Sequence, residues 1–579
     1  VLPALVEAAG APAVYDVASL VGESISDLPD GDDGDDDGVG VGVGDGLDDG
    51  VGAGDGLNDG DDNGDGDNRG VADVARPPPD PYRKRPKFAL SPAQVQQESE
   101  RLAAHHRKLE NDASHGRMRK QRAGLPAASM RAEVVEAVNG SMVTIIMGST
   151  GCGKSTQVPQ FILEDAISQS RGGECNIICT QPRRISAIGL AHRVAQERAE
   201  SVGSTIGYSV RLDSKQSMKQ TRLLFCTTGV MLRKLLSDPE LKSVTHVVLD
   251  EVHERTIEGD LLLFLLRDLL LSGKNRNIKI VLMSATAEAE LFAGYFSKVG
   301  RAPRTGAPPV ISIPGFTHPV QDFFLEDVLE ATGYLIGKTS KWAKKNVKDE
   351  EEAAARYRDA GYSEATAKSM AVVNESNINV DLIEALVCHV IRGNRKAAKG
   401  AKPAAILIFV PGAYMITKLV KKLSSWSSGM IKSVGSEVRV LPLHGGLPPS
   451  EQSKVFDRPP PGVTKIVVAT NVAETSITID DVTCVIDSGK ANEVRFDALK
   501  GISRLQEVFV SQASCQQRRG RAGRVQPGIC YRIFSKKIWG NMEKNTLPEI
   551  SRSALHSLVM DTKAIVGGDV YDVLDQMLT

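Results

Sequence analysis

Nowhere in the 579 residues does an uninterrupted apolar run approach the roughly 18 residues that a membrane-crossing helix needs. The nearest candidate, LLLFLLRDLLL at 261–271, is short and broken by Arg267 and Asp268. A soluble chain, cytoplasmic or nuclear, is therefore the expectation. Cysteine is sparse: eight scattered residues build no disulfide framework in a chain this long. Cys175 and Cys179 are four apart in ECNIICT, but no second pair completes a zinc site. Small core thiols in a reducing compartment are the simpler reading. A starting methionine is missing too, which leaves open whether a natural N-terminus and a targeting peptide precede Val1. Net charge is nearly absent, at −2, but the balance is deceptive. Residues 1–80 hold 21 acidic and 2 basic side chains, and the remainder holds 51 and 68, so an acidic tail of −19 precedes a body of +17. A basic body points, weakly, to a polyanionic partner.

The acidic part is nearly all Asp and Gly between residues 28 and 70. Such a segment cannot bury enough apolar surface to offset the ordering of its backbone, and is read as disordered. Its spacing fits neither an EF-hand loop nor a calcium-binding nonapeptide repeat. PPPDPYRKRPK (77–87) reads as a solvated linker rather than a nuclear localisation signal. After it, QVQQESERLAAHHRKLEN and LPAASMRAEVVEAV turn helical. From residue 140, short β-branched runs alternate with helical stretches: MVTIIM, NIICT, RLLFCT, HVVLD and KIVLMSA. The pattern stops near residue 325 and resumes with AAILIFV, RVLPLH, KIVVAT and TCVID. That is a parallel βα pattern written twice, in an α/β chain too long for one core. The organisation expected is a disordered tail and linker (1–90), a helical lead-in (91–137), one α/β domain (138–325), a charged helical insertion or linker (326–400), a second α/β domain (401–540) and a further segment (541–579).

GSTGCGKST (148–156) fits the phosphate-binding pattern G-x-x-x-x-G-K-[ST], with the required strand before it and helix after it. Gly148, Gly151 and Gly153 let the backbone approach phosphate. Ser149, Thr150, Cys152 and Thr156 complete the cradle. Lys154 places its charge on the terminal phosphates and Ser155 offers a hydroxyl to Mg²⁺. Such a loop needs a second acidic site at the end of a neighbouring strand, and HVVLDEVHER supplies it 96 residues beyond Lys154. Asp250 is placed to hold Mg²⁺ through water, with Glu251 beside it as a second acidic group and as the orienter or base for the attacking water, a role worth about 10²–10⁴-fold. His253 is either part of this cleft or a structural histidine.

D-E-V-H resembles the DExH/DEAH motif of superfamily-two helicases, and around it TQPRRISA, TTGVML, MSAT, ILIFVPG, ATNVAETSITIDDV and QRRGRAGR occur in that family's order over residues 140–560. The last two are most similar to the DEAH/RNA helicase A-like branch. The resemblance implies two tandem RecA-like domains with a disordered tail ahead and the start of a winged-helix domain behind, at TLPEISRSALHSLVMDTKAI. It implies Mg²⁺-ATP bound between the domains with little base selectivity. It assigns Gln517, Arg521 and Arg524 to the γ-phosphate and the transition state, Arg193 and Phe456 to the two faces of the base, and Asp480 to the ribose. Ser284 and Thr286, with His253, would couple hydrolysis to domain movement. Backbone contacts to single-stranded RNA would come from Arg183, Arg184, Arg211, Thr227, Thr228, Gly229, Thr470 and Asn471, with weak sequence preference and strong salt dependence. In QRRGRAGR a tight turn into a helix is expected to aim several guanidiniums one way.

Two departures stand out. Ser149-Thr150 replaces the family's frequent Glu-Thr, and the chain stops at Thr579 where the family continues through a winged helix, a helical bundle and an OB-fold domain. A fragment, or a form with an intact ATPase and impaired unwinding, is the expectation. The insertion before NVDLIEALVCHVI is most like the subgroup with accessory RNA-binding domains. The function implied is an ATP-dependent RNA helicase of 3′ to 5′ polarity, acting as a monomer, with protein partners through the tail or the insertion. A DNA-directed translocase and a truncated RNA-binding scaffold with weak turnover are the alternatives. A switch GTPase needs neither a second α/β domain nor two arginine fingers.

Overall fold

The computed structural model describes residues 91–579 apart from 150, 286–287, 300–306, 316–317, 346, 348, 398–404, 425–436, 461, 475–478, 525, 567–568 and 579. The Gly/Asp tail, the 77–87 linker, Thr150 and Thr286 therefore lie outside the described residues.

The first sheet has eight strands: β1 (Val143–Gly148), β2 (Ile177–Gln181), β3 (Ile206–Val210), β4 (Asp213–Lys215), β5 (Leu223–Thr227), β6 (His246–Leu249), β7 (Lys279–Ser284) and β8 (Val310–Ile313). They run in the order β4-β3-β5-β2-β6-β7-β1-β8. All pairs are parallel except β3 with β4. Helices on both faces explain why the strand runs are apolar throughout rather than alternating. Ile145, Val247, Ile280 and Leu282 enter the core on one face; Ile146, Val248 and Val281 enter the core on the other. Each such side chain, removed from water, contributes about 1.5–3 kcal/mol.

The second sheet is all parallel, in the order β11-β12-β10-β13-β16-β9: β11 (Glu437–Leu443), β12 (Val463–Ala469), β10 (Ala405–Phe409), β13 (Val482–Asp487), β16 (Gly528–Arg532) and β9 (Val320–Phe323). Its faces divide in the same way, Ile406 and Ile408 against one helical layer, Leu407 and Phe409 into the other core. An antiparallel hairpin, β14 (Lys490–Asp497) with β15 (Ile502–Phe509), projects after β13. Two tandem RecA-like parallel-sheet domains thus make up the body of the chain.

Two boundaries differ from the sequence reading. β9, placed at 138–325 in the first domain, is hydrogen-bonded to β16 at the edge of the second sheet, with Val320 opposite Gly528. The stretch 326–400 is not a free linker. Its helices Leu325–Thr332, Glu364–Val372 and Val380–Ala397 form the helical layer over the second sheet. In the last of these, Leu382, Ile383, Leu386, Val387, Val390 and Ile391 recur at helical spacing and are buried against Ile406, Ile408 and Ile466. At the C-terminal end, the helices His556–Val566 and Val570–Gln576 bury Leu558, Val573 and Leu574 in the first domain's core, beside Leu261 and Leu262, and Met577 joins them just past the second helix.

Candidate active site

In a parallel sheet the carboxyl ends of the strands share one edge, and ligands bind there. β1 ends at Gly148, β2 at Gln181, β5 at Thr227, β6 at Leu249 and β7 at Ser284. Motifs scattered over more than a hundred residues of sequence are thereby brought to one rim.

Between β1 and the helix Lys154–Ser168 the loop turns at Gly151 and Gly153, whose φ of +93° and +95° suit glycine. A Cβ on Gly148 would lie 2.7 Å from Cys152 Sγ, so the start of the cradle also requires glycine. The Thr156 hydroxyl donates to Gly153 O at 3.2 Å, bracing the loop from behind. Lys154 is 3% exposed, with Nζ 3.5 Å from Glu251 Oε1. Burial alone would lower the Lys154 pKa, but Glu251 and Asp250 outweigh it and hold the ammonium charged.

Asp250 follows the end of β6 and is buried. Gln181 Nε2 donates to its Oδ2 at 2.8 Å, the Glu251 amide to its Oδ1 at 2.9 Å, and the Ser155 hydroxyl also bonds to it. Burial, then Glu251, push its pKa up, against Lys154, Gln181 and Ser155. Glu251 has φ +56° and Arg255 φ +48°. Left-handed backbone at non-glycine residues costs about 1–3 kcal/mol and persists where packing enforces it. Here Arg255 is held by Asp260 Oδ1 at 2.9 Å and itself donates to Leu578 O at 2.8 Å. His253 is buried and its pKa falls to about 4, through burial and then Lys154. It is neutral at neutral pH, and its Nδ1 accepts the Ala285 amide at 3.2 Å, next to Ser284. The turn that carries Glu251 and His253 is thus tied to the residue after β7.

The second domain closes the site. Arg521, 3% exposed, donates to Glu474 O. Its pKa is lowered by burial, then by Arg524, against the pull of Glu251 and Glu474. Arg524 falls to about 10 through burial, with Asp480, Glu251 and Cys152 acting in the other direction. A Cβ on Gly151 would sit 3.9 Å from Arg524 Nε. Arg524 thus stands beside the phosphate loop of the first domain, and Arg521 is close enough to feel Glu251.

The expectation for the octet needs correcting. A helix, Gln512–Arg519, leads into the turn rather than the reverse. Only two of its four arginines face the cleft. Arg518 is buried against Asp487 Oδ1 and Glu474 Oε2, both at 2.9 Å, and Arg519 reaches Asp322 Oδ2 at 2.6 Å. Gln517 is half-buried one helical turn before Arg521.

The cleft fits a nucleoside triphosphate with a divalent cation. Ser149 Oγ and Glu251 Oε2 are buried without a hydrogen-bond partner among the described residues. Arg521, whose charge is disfavoured by burial and by Arg524, is stabilised by an anion between the two guanidiniums. Ser155 and Asp250 already touch and form a hard oxygen pair. Arg193, half-exposed, donates to Glu197 Oε1 at 2.7 Å, and Phe456 is 48% exposed on the second domain. Asp480 is exposed and close enough to act on Arg524.

Further along the same rim, just past β2, Arg184 is exposed, as is Arg211 in the turn between β3 and β4. Arg183 pairs with Glu254 at 3.3 Å. Thr227 caps the helix Thr228–Ser237, and Thr228 reaches Gln181 O at 3.5 Å. The Gly229 amide, expected to face phosphate, is bonded to the Glu258 carboxylate. Thr470 follows β12, its amide on Leu443 O at 3.1 Å, and Asn471 is exposed. Sequence reasoning passes over Gln181 and Glu474, although both stand inside the quoted motifs TQPRRISA and ATNVAETSITIDDV.

Comparison with known proteins agrees with this geometry. Residues 128–292 match the DEAD/DEAH box helicase family and residues 383–526 the helicase conserved C-terminal domain. The chain is 43% identical over 495 residues to the Arabidopsis thaliana DExH-box ATP-dependent RNA helicase DExH1, covering 82% of this chain and 47% of that one. It is 41% identical over 486 residues to the human ATP-dependent DNA/RNA helicase DHX36, covering 80% and 46%. The crystal structure of the Escherichia coli DEAH/RHA helicase HrpB is similar with a TM-score of 0.57 at 28% identity, over 76% of this chain and 46% of that one. The chain thus spans about half the length of these relatives. With both helicase domains present and the motifs gathered on facing rims, the chain belongs to the DExH-box helicases of the DEAH/RNA helicase A-like branch.

Proposed function

We propose that the chain is the motor of an ATP-dependent RNA helicase, hydrolysing ATP between its two domains and using the cycle to move on and remodel RNA. The observation that carries this is the reach of Arg521 and Arg524 from the second domain to Glu251 and the phosphate loop of the first. Lys154 and the glycine cradle bind the phosphates. Glu251 orients and deprotonates the attacking water, and Gln517 contacts the water or the γ-phosphate. Arg521 and Arg524 meet the charge that develops on the γ-phosphoryl group, a contribution of about 10³–10⁵ for this class of residue. Mg²⁺ would be held by Ser155 and, through water, Asp250, and would neutralise charge between the outer phosphates. Arg193 and Phe456 hold the base by its faces and Asp480 the ribose, so selectivity among bases is low. Because both rims move with the domains, hydrolysis changes the spacing of the backbone contacts around Arg183, Arg184, Arg211, Thr227, Thr228, Thr470 and Asn471, and so advances a single strand. His253, Ser284 and Thr286 link the two events. Residues 541–579 are read as the start of a winged-helix domain.

DNA is the second reading, favoured by the name of the DHX36 relative and by contacts that read only backbone. The test is steady-state ATP hydrolysis with no polymer, with single-stranded RNA and with single-stranded DNA, beside Glu251→Gln. RNA stimulation, reduced about 10²-fold or more by the substitution, is the expected result. Equal stimulation by DNA moves the assignment to a general translocase. Tight RNA binding without hydrolysis supports a scaffold.

A further inference from the structure

We propose that Glu197 is a positioning residue of the nucleotide site, holding Arg193 against the base, and that residues 122–127, upstream of the matched DEAD/DEAH domain, belong to the site through it. The inference rests on the reading of Arg193 as a base contact.

Glu197 closes the helix Arg184–Glu197 and is 2% exposed. Its Oε1 accepts Arg193 Nε at 2.7 Å. Its Oε2 accepts Gln157 Nε2 at 2.8 Å and Gln160 Nε2 at 2.7 Å, with Arg122 Nε at 3.7 Å. Its carbonyl accepts His115 Nε2 at 2.7 Å. A surface i,i+4 pair would leave Arg193 free to sample rotamers, at a net value of a few tenths of a kcal/mol. A buried carboxylate fixed from three other directions holds the guanidinium stem in one place, and Arg193 keeps its exposed side for a flat ligand.

The same network reaches the phosphate loop. Gln157 stands in the first turn after the loop, its amide on Gly153 O at 2.8 Å. Arg122 donates to Gln157 Oε1 at 2.9 Å and to Glu164 Oε1 at 2.8 Å. The Ala127 amide donates to Cys152 O at 3.0 Å, and a Cβ on Gly153 would lie 3.1 Å from Leu125 Cδ1. The lead-in therefore braces the cradle by charge, backbone and apolar contact, and Glu197 carries that brace to the base side.

The test uses the full chain, with ADP titration calorimetry and steady-state ATP hydrolysis for Arg193→Ala, Glu197→Gln and the double variant. In Glu197→Gln the amide oxygen still accepts from Gln157 and Gln160, while its NH₂ faces Arg193 Nε, donor to donor. Loss of this one charge-assisted bond is expected to weaken ADP binding about tenfold. KM for ATP should rise by a similar factor and kcat change by less than about twofold, with no further loss in the double variant. Arg122→Gln should shift ADP affinity in the same direction by less. Glu197→Asp, which keeps the charge but shortens the reach to Arg193, serves if the glutamine variant does not fold. Unchanged ADP affinity in Glu197→Gln, or a loss that adds in full to that of Arg193→Ala, overturns the positioning role. No effect of Arg193→Ala on ADP overturns the base contact itself, and this inference with it.

Discussion

The buried side chain of His253 and the half-buried His246 take up protons only near pH 4, against 6.5 for the free side chain. For His246 the cause is burial, then Lys279 and Arg171. Between these values the unfolded chain binds protons that the folded chain does not. Their contribution to stability is therefore complete above about pH 6.5 and falls as pH drops towards 4, by about 1.4 kcal/mol per histidine for each pH unit between the folded and unfolded values. Asp260, raised to about 6 by burial, works in the opposite sense and loses stability as pH rises through its range. A comparison of thermal midpoints for wild type and His246→Asn separates the two. The variant's midpoint should fall less between pH 7 and about pH 4.5; equal falls would contradict the account. At this scale the sequence is legible in kind and illegible in direction. QRRGRAGR names four arginines, but only Asp487 and Glu474, brought in by β13 and the turn after β12, decide that Arg518 is structural while Arg521 faces the cleft.

Strands buried on both faces read plainly from sequence, because an apolar β-branched run of four to six residues has few other uses in an α/β chain. β9 does not read so. VQDF carries no run, and its place in the second sheet depends on distant partners: Asp322 accepts Arg519 Nε at 2.6 Å and Arg532 Nη2 at 3.1 Å. Arg532 is 1% exposed and stacks on Trp539 with its carbon 4.1 Å from the ring centre. The helices from Leu325 to Ala397 mislead for the same reason. Their charged surface suggests an appendage, while their apolar stripe waits for a sheet that forms later in the chain. Asp322→Ala strips a buried guanidinium of its carboxylate and should cost about 3–5 kcal/mol, less whatever water recovers at the half-buried aspartate. Chemical denaturation measures this; a change below about 0.5 kcal/mol would show that β9 is held by its backbone ladder alone.

Across the whole molecule, the described residues are built around two large sheets, with Arg524 of the second domain beside the phosphate loop of the first. No helix among the described residues is long and apolar enough to cross a membrane. Family and fold are legible because seven motifs keep their order over two βα series, a coincidence that composition cannot produce. The bracing of the cradle by the lead-in is not, since Arg122 and Leu125 stand outside any motif and matter only through Gln157 and Gly153. The central claim is that catalysis needs groups from both sheets. It is tested most directly by single-turnover ATP hydrolysis, with single-stranded RNA present, for wild type and the variant carrying both Arg521→Ala and Arg524→Ala. The account predicts a fall in rate of about 10³ or more with ADP affinity kept within a few-fold. A rate within a few-fold of wild type would contradict it and confine the chemistry to the first domain.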